Sequence, residues 1–269
     1  MSYCPNRKEM DRTSQDQEVS LPRMSDPLAD ERRSRFPHRL TRIALTVLVV
    51  PTVGLLVVFR HAWFTENFGE IDPGRAYRVA QPFGNLPDLI TSRKLASVLN
   101  LRGGSIADSW YVDEVRATDT FGVDLYDLPM SATRRPKRRE LLGLIDVINH
   151  CRYPLLIHCK SGADRTGLAS ALYLMLKKSE RPRDALRAFS VEYGHFPIGG
   201  AQRLHEPINE YEAWLTREGL DHTPERFENW VKYQFESDDP FQSRPSIHPG
   251  PRMERQTARR DPMAVGPKL

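Results

Sequence analysis

Cysteine is scarce in this chain, with three residues in 269, at Cys4, Cys151 and Cys159. So few, so far apart, cannot build the disulfide framework of a small secreted scaffold, and the fold has to be held by burial instead. No cysteine or histidine cluster falls at metal-ligand spacing, so no metal is expected. Stacking aromatics are missing from the arginine-rich C-terminal end, where Arg244, Arg252, Arg255, Arg259 and Arg260 are interleaved with prolines. With a net charge of only +4, that pattern predicts a solvated tail and no nucleic-acid partner. Periodic apolar residues are also lacking over 1–39 and 237–269. The first of these stretches reads as a disordered basic arm and the second as a disordered tail.

Long apolar runs are equally few, and one stands out. From Ile43 to Phe59 the chain carries no charge for 17 residues, about 26 Å as a helix against a hydrocarbon core of roughly 30 Å. Arg42 and Arg60 can snorkel to the two surfaces, and Trp63 and Phe64 fall where interfacial aromatics sit. A cleaved signal peptide fits less well, because Arg60-His61-Ala62-Trp63-Phe64 contains no small-x-small site. A buried core helix would need upstream apolar partners that are absent. The expectation is one transmembrane anchor over 40–63. Arg32, Arg33, Arg35, Arg39 and Arg42 precede it, whereas Glu66, Glu70 and Asp72 follow, which predicts a cytoplasmic N-terminus and a domain on the extracytoplasmic side. A thiolate enzyme in that compartment would face oxidation.

Downstream the apolar pattern alternates between strand and helix periods. Strands are predicted at Tyr77–Ala80, Ser97–Leu101, Val123–Leu128 and Leu155–His158. Helices are predicted at Asn85–Lys94, Trp110–Thr120, Arg138–Cys151, Thr166–Lys178, Arg183–Tyr193 and His205–Thr216. Thr223-Pro224-Glu225 reads as a cap with proline at the first helical position, opening a helix toward Phe235. The implied fold is α/β, a central and largely parallel sheet flanked by helices over 71–236, with its ligand site at the strands' C-terminal ends.

One loop lies at such an end, reading His158-Cys159-Lys160-Ser161-Gly162-Ala163-Asp164-Arg165-Thr166-Gly167. Backbone N–H groups curling through Lys160, Ser161, Gly162, Ala163, Asp164 and Arg165 would point into one concavity, and a helix starting near Thr166 adds its positive end. The same field favours a thiolate at Cys159, making it a nucleophile at neutral pH. Arg165 supplies a planar fork for two phosphate oxygens. Gly162 answers a need for positive φ or close approach. Thr166 can place a hydroxyl beside the sulfur, and His158 can hold the loop backbone. Cys151 reads as a small buried apolar residue, with a redox partnership to Cys159 as the alternative, and His195 reads as structural.

The run His-Cys-x5-Arg-Thr resembles the signature of the cysteine-dependent tyrosine and dual-specificity phosphatase superfamily, its bacterial membrane-anchored branch in particular. Gly74-Arg75-Ala76-Tyr77-Arg78-Val79-Ala80-Gln81-Pro82, Val98-Leu99-Asn100-Leu101-Arg102-Gly103 and Leu128-Pro129-Met130-Ser131 extend the resemblance across about Ile71 to Gly219. It implies a phosphomonoesterase acting through a cysteinyl-phosphate, with no cofactor and a phosphorylated protein as substrate. Two alternatives stand beside it: an inositol-phosphate or phospholipid phosphatase of the same mechanism, and a catalytically silent phosphate-binding module. Where the family carries a mobile loop with an aspartate general acid, this chain reads Pro129-Met130-Ser131-Ala132-Thr133-Arg134-Arg135-Pro136-Lys137-Arg138-Arg139. The acid role then falls to Asp164 or Asp127, with Asp164 favoured because a carboxyl beside bound phosphate is driven to hold a proton. The five cations of that loop, with Lys160, either attract a polyanionic substrate or form a solvated helix start.

Overall fold

The computed structural model describes residues 42–56 and 66–237. The arm over 1–39, residues 40–41 and 57–63 of the predicted anchor, and the tail beyond 237 lie outside the described residues. Helix α1 covers 42–56, about 22 Å at 1.5 Å per residue, and Ile43, Leu45, Val47 and Leu48 on it are exposed. Among the described residues no helix is long and apolar enough to cross a membrane.

The sheet has five strands: β1 (Gly69–Asp72), β2 (Ala76–Val79), β3 (Ser97–Asn100), β4 (Asp124–Asp127) and β5 (Leu155–His158), in the order β1-β2-β5-β3-β4. β1 is antiparallel to β2, and the other pairings are parallel. Central β5 is registered so that His158 lies beside Val79 on one side and Asn100 on the other. Every residue of β5 is buried, because helices cover both faces and an inner parallel strand has no solvent side. Leu155 and Ile157 face one core with Leu99, and Leu156 faces the other with Tyr77, Val79 and Val98. This is the two-residue alternation of a pleated strand.

On the second face lie α2 (Leu86–Arg93) and α3 (Ser109–Phe121). On the first face lie α4 (Arg138–His150), α5 (Asp164–Lys177), α7 (Glu206–Glu218) and α8 (Pro224–Tyr233), with the short α6 (Pro182–Ala185) between α5 and α7. Helix α4 buries Leu141, Leu144, Ile145 and Ile148, while Leu142 is only partly buried at its edge. Helix α5 is buried from Thr166 to Leu176, so it is apolar on all sides rather than amphipathic. The Thr223 hydroxyl caps α8 by accepting from Arg226 N at 3.1 Å, and Phe227, Trp230 and Val231 are buried. The helix predicted to open at Thr223-Pro224 is present and packs on the core of the first face.

Three expectations change. The helix predicted over 183–193 is broken into α6 and two 3-10 turns, Leu186–Ala188 and Val191–Tyr193. Phe189 between them is extended, and Ser190 accepts Glu192 N with its hydroxyl at 3.1 Å. That local bond offers the backbone a partner outside the helical ladder. Edge strand β1 was not predicted; it has four residues and adds an antiparallel pair to the sheet. Helix α5 begins at Asp164 rather than Thr166, which puts the loop's aspartate and arginine in its first turn.

Candidate active site

The Cys159–Arg165 loop joins β5 to α5, and what shapes it is a set of donors holding its carbonyls from outside. Buried Arg78, on β2, donates from Nη2 to Gly162 O (2.8 Å) and Ala163 O (3.4 Å), and from Nη1 to Ala188 O (2.6 Å). Its guanidinium lies 3.8 Å from the centre of the Tyr193 ring. Burial pushes its pKa down to about 10, which leaves it charged at neutral pH. Asn67 Nδ2 donates to Ser161 O (2.5 Å) and Tyr193 O (3.0 Å), and the backbone N–H of Gln81 donates to Lys160 O (3.3 Å). Four consecutive carbonyls are thus turned outward. With each peptide planar, the amides on the far side are turned into the concavity.

Gly162 is the closest point of that packing. Its φ is +72°, and a Cβ there would lie 2.7 Å from Ala80 N and 2.9 Å from Val79 O. Only glycine fits, for conformation and for space. Its N–H donates to Cys159 Sγ at 3.3 Å. Cys159 itself is 1% exposed.

Arg165 is anchored by one nitrogen, Nη1, which donates to Leu101 O (3.2 Å) and Met130 O (3.3 Å). Its Nε is buried with no partner. An unpaired buried guanidinium N–H at an anion cradle is a donor kept for a ligand. Thr166 is fully buried and its hydroxyl has no partner, so among the described contacts it does not bond the sulfur. Lys160 and Ser161 have exposed side chains, and they serve the loop through their backbones.

His158 is fully buried, and its ring bonds to Glu114 rather than to the loop backbone: Nε2 lies 2.6 Å from Glu114 Oε1, while Nδ1 has no partner. Glu114, on α3, also accepts from Gln81 Nε2 (3.2 Å), and Gln81 Oε1 accepts from Arg102 (3.3 Å). The ring beside Cys159 is held by a buried carboxylate from α3.

The two candidate acids are placed differently. Asp127, at the end of β4, accepts from Asn100 Nδ2 (3.0 Å) on one oxygen and from the Tyr111 hydroxyl (2.5 Å) on the other. Burial holds its pKa above the usual carboxylate value, with Glu114 adding to the rise and the Tyr111 hydrogen bond opposing it. Asp164 uses one oxygen, Oδ1, which lies 2.7 Å from His195 Nδ1. Against the structural role that the sequence suggests, His195 touches the loop's own carboxylate, and its Nε2 lies 2.9 Å from His205 Nε2.

The basic segment is partly consumed by the fold. Arg135 pairs with Glu206 (3.3 Å) and with Glu210 on α7, and Arg138 Nε donates to Phe235 O at 2.9 Å. Arg134, Lys137 and Arg203, with Arg135 and Glu140, line a cavity of about 190 Å³. Cys151 is buried and its thiol is pushed up to about 11 by desolvation, which suits a small core residue rather than a reactive thiol.

Arg78, Asn67, Glu114 and His205 were not singled out by the sequence. For Arg78 a signal existed: a lone cation within the strand sequence Ala76-Tyr77-Arg78-Val79 must find buried acceptors if the strand is central. Nothing local marks the other three.

Residues 106–183 match the model of the tyrosine phosphatase family. No curated protein matches the chain. Among solved structures, TpbA of P. aeruginosa is 19% identical, with a TM-score of 0.45 over 56% of this chain and 92% of that one. The catalytic core of the PP-IP phosphatase SIW14 from S. cerevisiae, in complex with citrate, is 22% identical, with a TM-score of 0.43 over 57% of this chain and 93% of that one. PTPMT1 in complex with PI(5)P is 18% identical, with a TM-score of 0.40 over 57% and 99%. The matched segment runs through Cys159 and Arg165, whose loop has the anion-cradling geometry described above, so over 106–183 the chain is similar to the tyrosine phosphatase family, and that similarity supports a phosphatase enzyme.

Proposed function

We propose that this chain is a membrane-anchored phosphomonoesterase that hydrolyses phosphotyrosine-, phosphoserine- and phosphothreonine-type esters. The observation that carries the reading is the pairing of Gly162 N–H on Cys159 Sγ with an Arg165 fork anchored by Nη1 alone. Cys159 Sγ attacks phosphorus while the ester oxygen departs with a proton. The loop amides and Arg165 hold the equatorial oxygens as charge builds on them. Water then attacks the cysteinyl-phosphate, and the thiolate returns under the Gly162 N–H. Asp164 is the assigned proton donor, because both oxygens of Asp127 are already engaged by neighbours whereas Asp164 has Oδ2 to offer. Cys159→Ser should abolish turnover and keep vanadate binding, since the cradle is backbone and Arg165. Appreciable hydrolysis by that variant would sink the covalent route.

A polyanionic phosphoester is the second reading, favoured by the cavity that Arg134, Lys137 and Arg203 line. It is weakened by the commitment of Arg135 and Arg138 to protein partners. Comparing kcat/KM for phosphopeptides, inositol phosphates and phospholipid vesicles decides between them. If Arg134→Gln with Arg203→Gln leaves the inositol-phosphate rate untouched, the polyanion reading fails.

Anchoring rests on the uncharged run 43–59 and the arginines before it, with the N-terminus cytoplasmic and the catalytic domain extracytoplasmic. The full chain is expected to stay with membranes through a high-salt wash, and external protease is expected to reach an epitope placed after Glu236. Release by salt defeats the anchor, and accessibility of an epitope before Arg32 alone reverses the orientation.

A further inference from the structure

Two histidines outside the phosphate loop form a chain with its aspartate. Asp164 Oδ1 lies 2.7 Å from His195 Nδ1, and His195 Nε2 lies 2.9 Å from His205 Nε2. His195 is 2% exposed. The Phe189 ring packs on both imidazoles, with centroids 4.9 and 4.0 Å away. Gly167 of α5 admits Phe189 so closely that a Cβ there would lie 2.8 Å from the ring. The broken helix after α6 is what carries Phe189 and His195 back onto the first turn of α5. None of this is needed to bind phosphate.

Two facing ring nitrogens bond only if one of them carries hydrogen, so the His195–His205 contact fixes a tautomer. We propose that His195, oriented by His205, is the positioning residue for Asp164: it donates Nδ1–H to Oδ1, which aims the proton-bearing Oδ2 at the leaving oxygen and stabilises the carboxylate that forms there. This rests on the reading of Asp164 as the proton donor. His205 donates Nε2–H to His195 Nε2, which leaves His195 only Nδ1 to carry its hydrogen. Burial, and then the neighbouring His195, push the pKa of His205 down to about 4; it is therefore neutral in the working range and has one N–H to place. The titratable groups that face it are His195 and Asp164.

The proton count closes over the cycle. In the first step the Asp164 Oδ2–H bond breaks and the leaving oxygen gains that hydrogen, while the S–P bond forms and the ester P–O bond breaks. The new carboxylate keeps the His195 Nδ1–H bond. In the second step water gives a proton to Asp164 Oδ2 as its oxygen bonds to phosphorus, and the thiolate leaves. The histidines lose no proton in either step; they set direction and acidity.

The test uses the full-length chain in detergent, with phenyl phosphate and 4-nitrophenyl phosphate as substrates across pH. A poor leaving group needs the proton and an activated one hardly does. His195→Phe, which keeps a ring against Phe189, is expected to slow phenyl phosphate about 10²-fold with little change for nitrophenyl phosphate. It is also expected to move the alkaline limb to higher pH, because a carboxylate that loses a donor becomes a weaker acid. His195→Asn, whose amide places an N–H near the Nδ1 position, is expected to restore most of the phenyl phosphate rate. Equal slowing of both substrates, or no rescue by asparagine in a protein of unchanged Tm, overturns the assignment. Asp164→Asn is measured alongside. If it produces the selective loss and His195→Phe does not, only the histidine role falls. If Asp164→Asn shows no selectivity, the reading of Asp164 as the acid falls and takes the histidine role with it.

Discussion

Arg78 is the residue on which the cradle most depends without touching substrate, and Arg78→Lys tests that dependence. Its guanidinium supplies hydrogen bonds to Gly162 O, Ala163 O and Ala188 O from a position only 3% exposed. An ammonium on a lysine stem keeps the charge but cannot span two separate carbonyl groups as a planar fork does. Ala163 O keeps the Gly167 N–H at 2.8 Å, so a lysine that reaches one of the other two carbonyls leaves one buried acceptor unpaired, at roughly 1–3 kcal/mol. For a domain of this size each kcal/mol lowers Tm by roughly 2–4 °C, so the expected drop is about 2–12 °C. The peptide planes at 162 and 163 also lose their outward tether, and a misplacement near 1 Å at the reacting centre costs on the order of 10²-fold in rate. Thermal unfolding, vanadate affinity and kcat/KM on a phosphopeptide are the measurements. A lysine variant with unchanged Tm and unchanged vanadate affinity would refute the claim that carbonyl tethering orients the amides.

Arg165→Lys should keep the charge yet lose on the order of 10²-fold or more in kcat, since anchoring by Nη1 and presentation by Nε need one rigid fork; a near-normal kcat contradicts this. Gly162→Ala should fold poorly or bind vanadate weakly, because its Cβ meets Ala80 N at 2.7 Å and Val79 O of β2 at 2.9 Å, at a φ of +72°; wild-type vanadate affinity contradicts it. Acid stability has a defined sign: the folded pKa of His205 lies below its unfolded value, so its contribution is complete above about 6.5 and is lost as pH falls toward about 4. His222, also lowered by burial, acts in the same direction. Tm should therefore fall between those pH values, and His205→Gln should shrink the fall; an unaltered slope contradicts it.

The Cys159–Arg165 loop and the α/β alternation were legible because they are local. A strand period, a seven-residue loop and an apolar helix each fit in a window that sequence periodicity can register. The fold class, the position of Cys159 at the end of a central strand and the special status of Gly162 followed from that alone. Tertiary structure decided the rest. Arg78 and Gly162 are 84 residues apart, and Asn67 and Ser161 are 94 apart, so the donors that shape the cradle leave no local pattern. The same holds for the cations after β4: composition alone gives five equivalent charges, whereas the fold spends Arg135 on α7 and Arg138 on Phe235 O and leaves Arg134 and Lys137 beside Arg203. Helical periodicity over 183–193 was overridden by a serine cap and an extended phenylalanine, and that break is what delivers His195 to Asp164. Local period determines which elements form. Which polar atoms meet across the sheet depends on how those elements pack, because a buried donor or acceptor must find its partner wherever in the chain that partner lies.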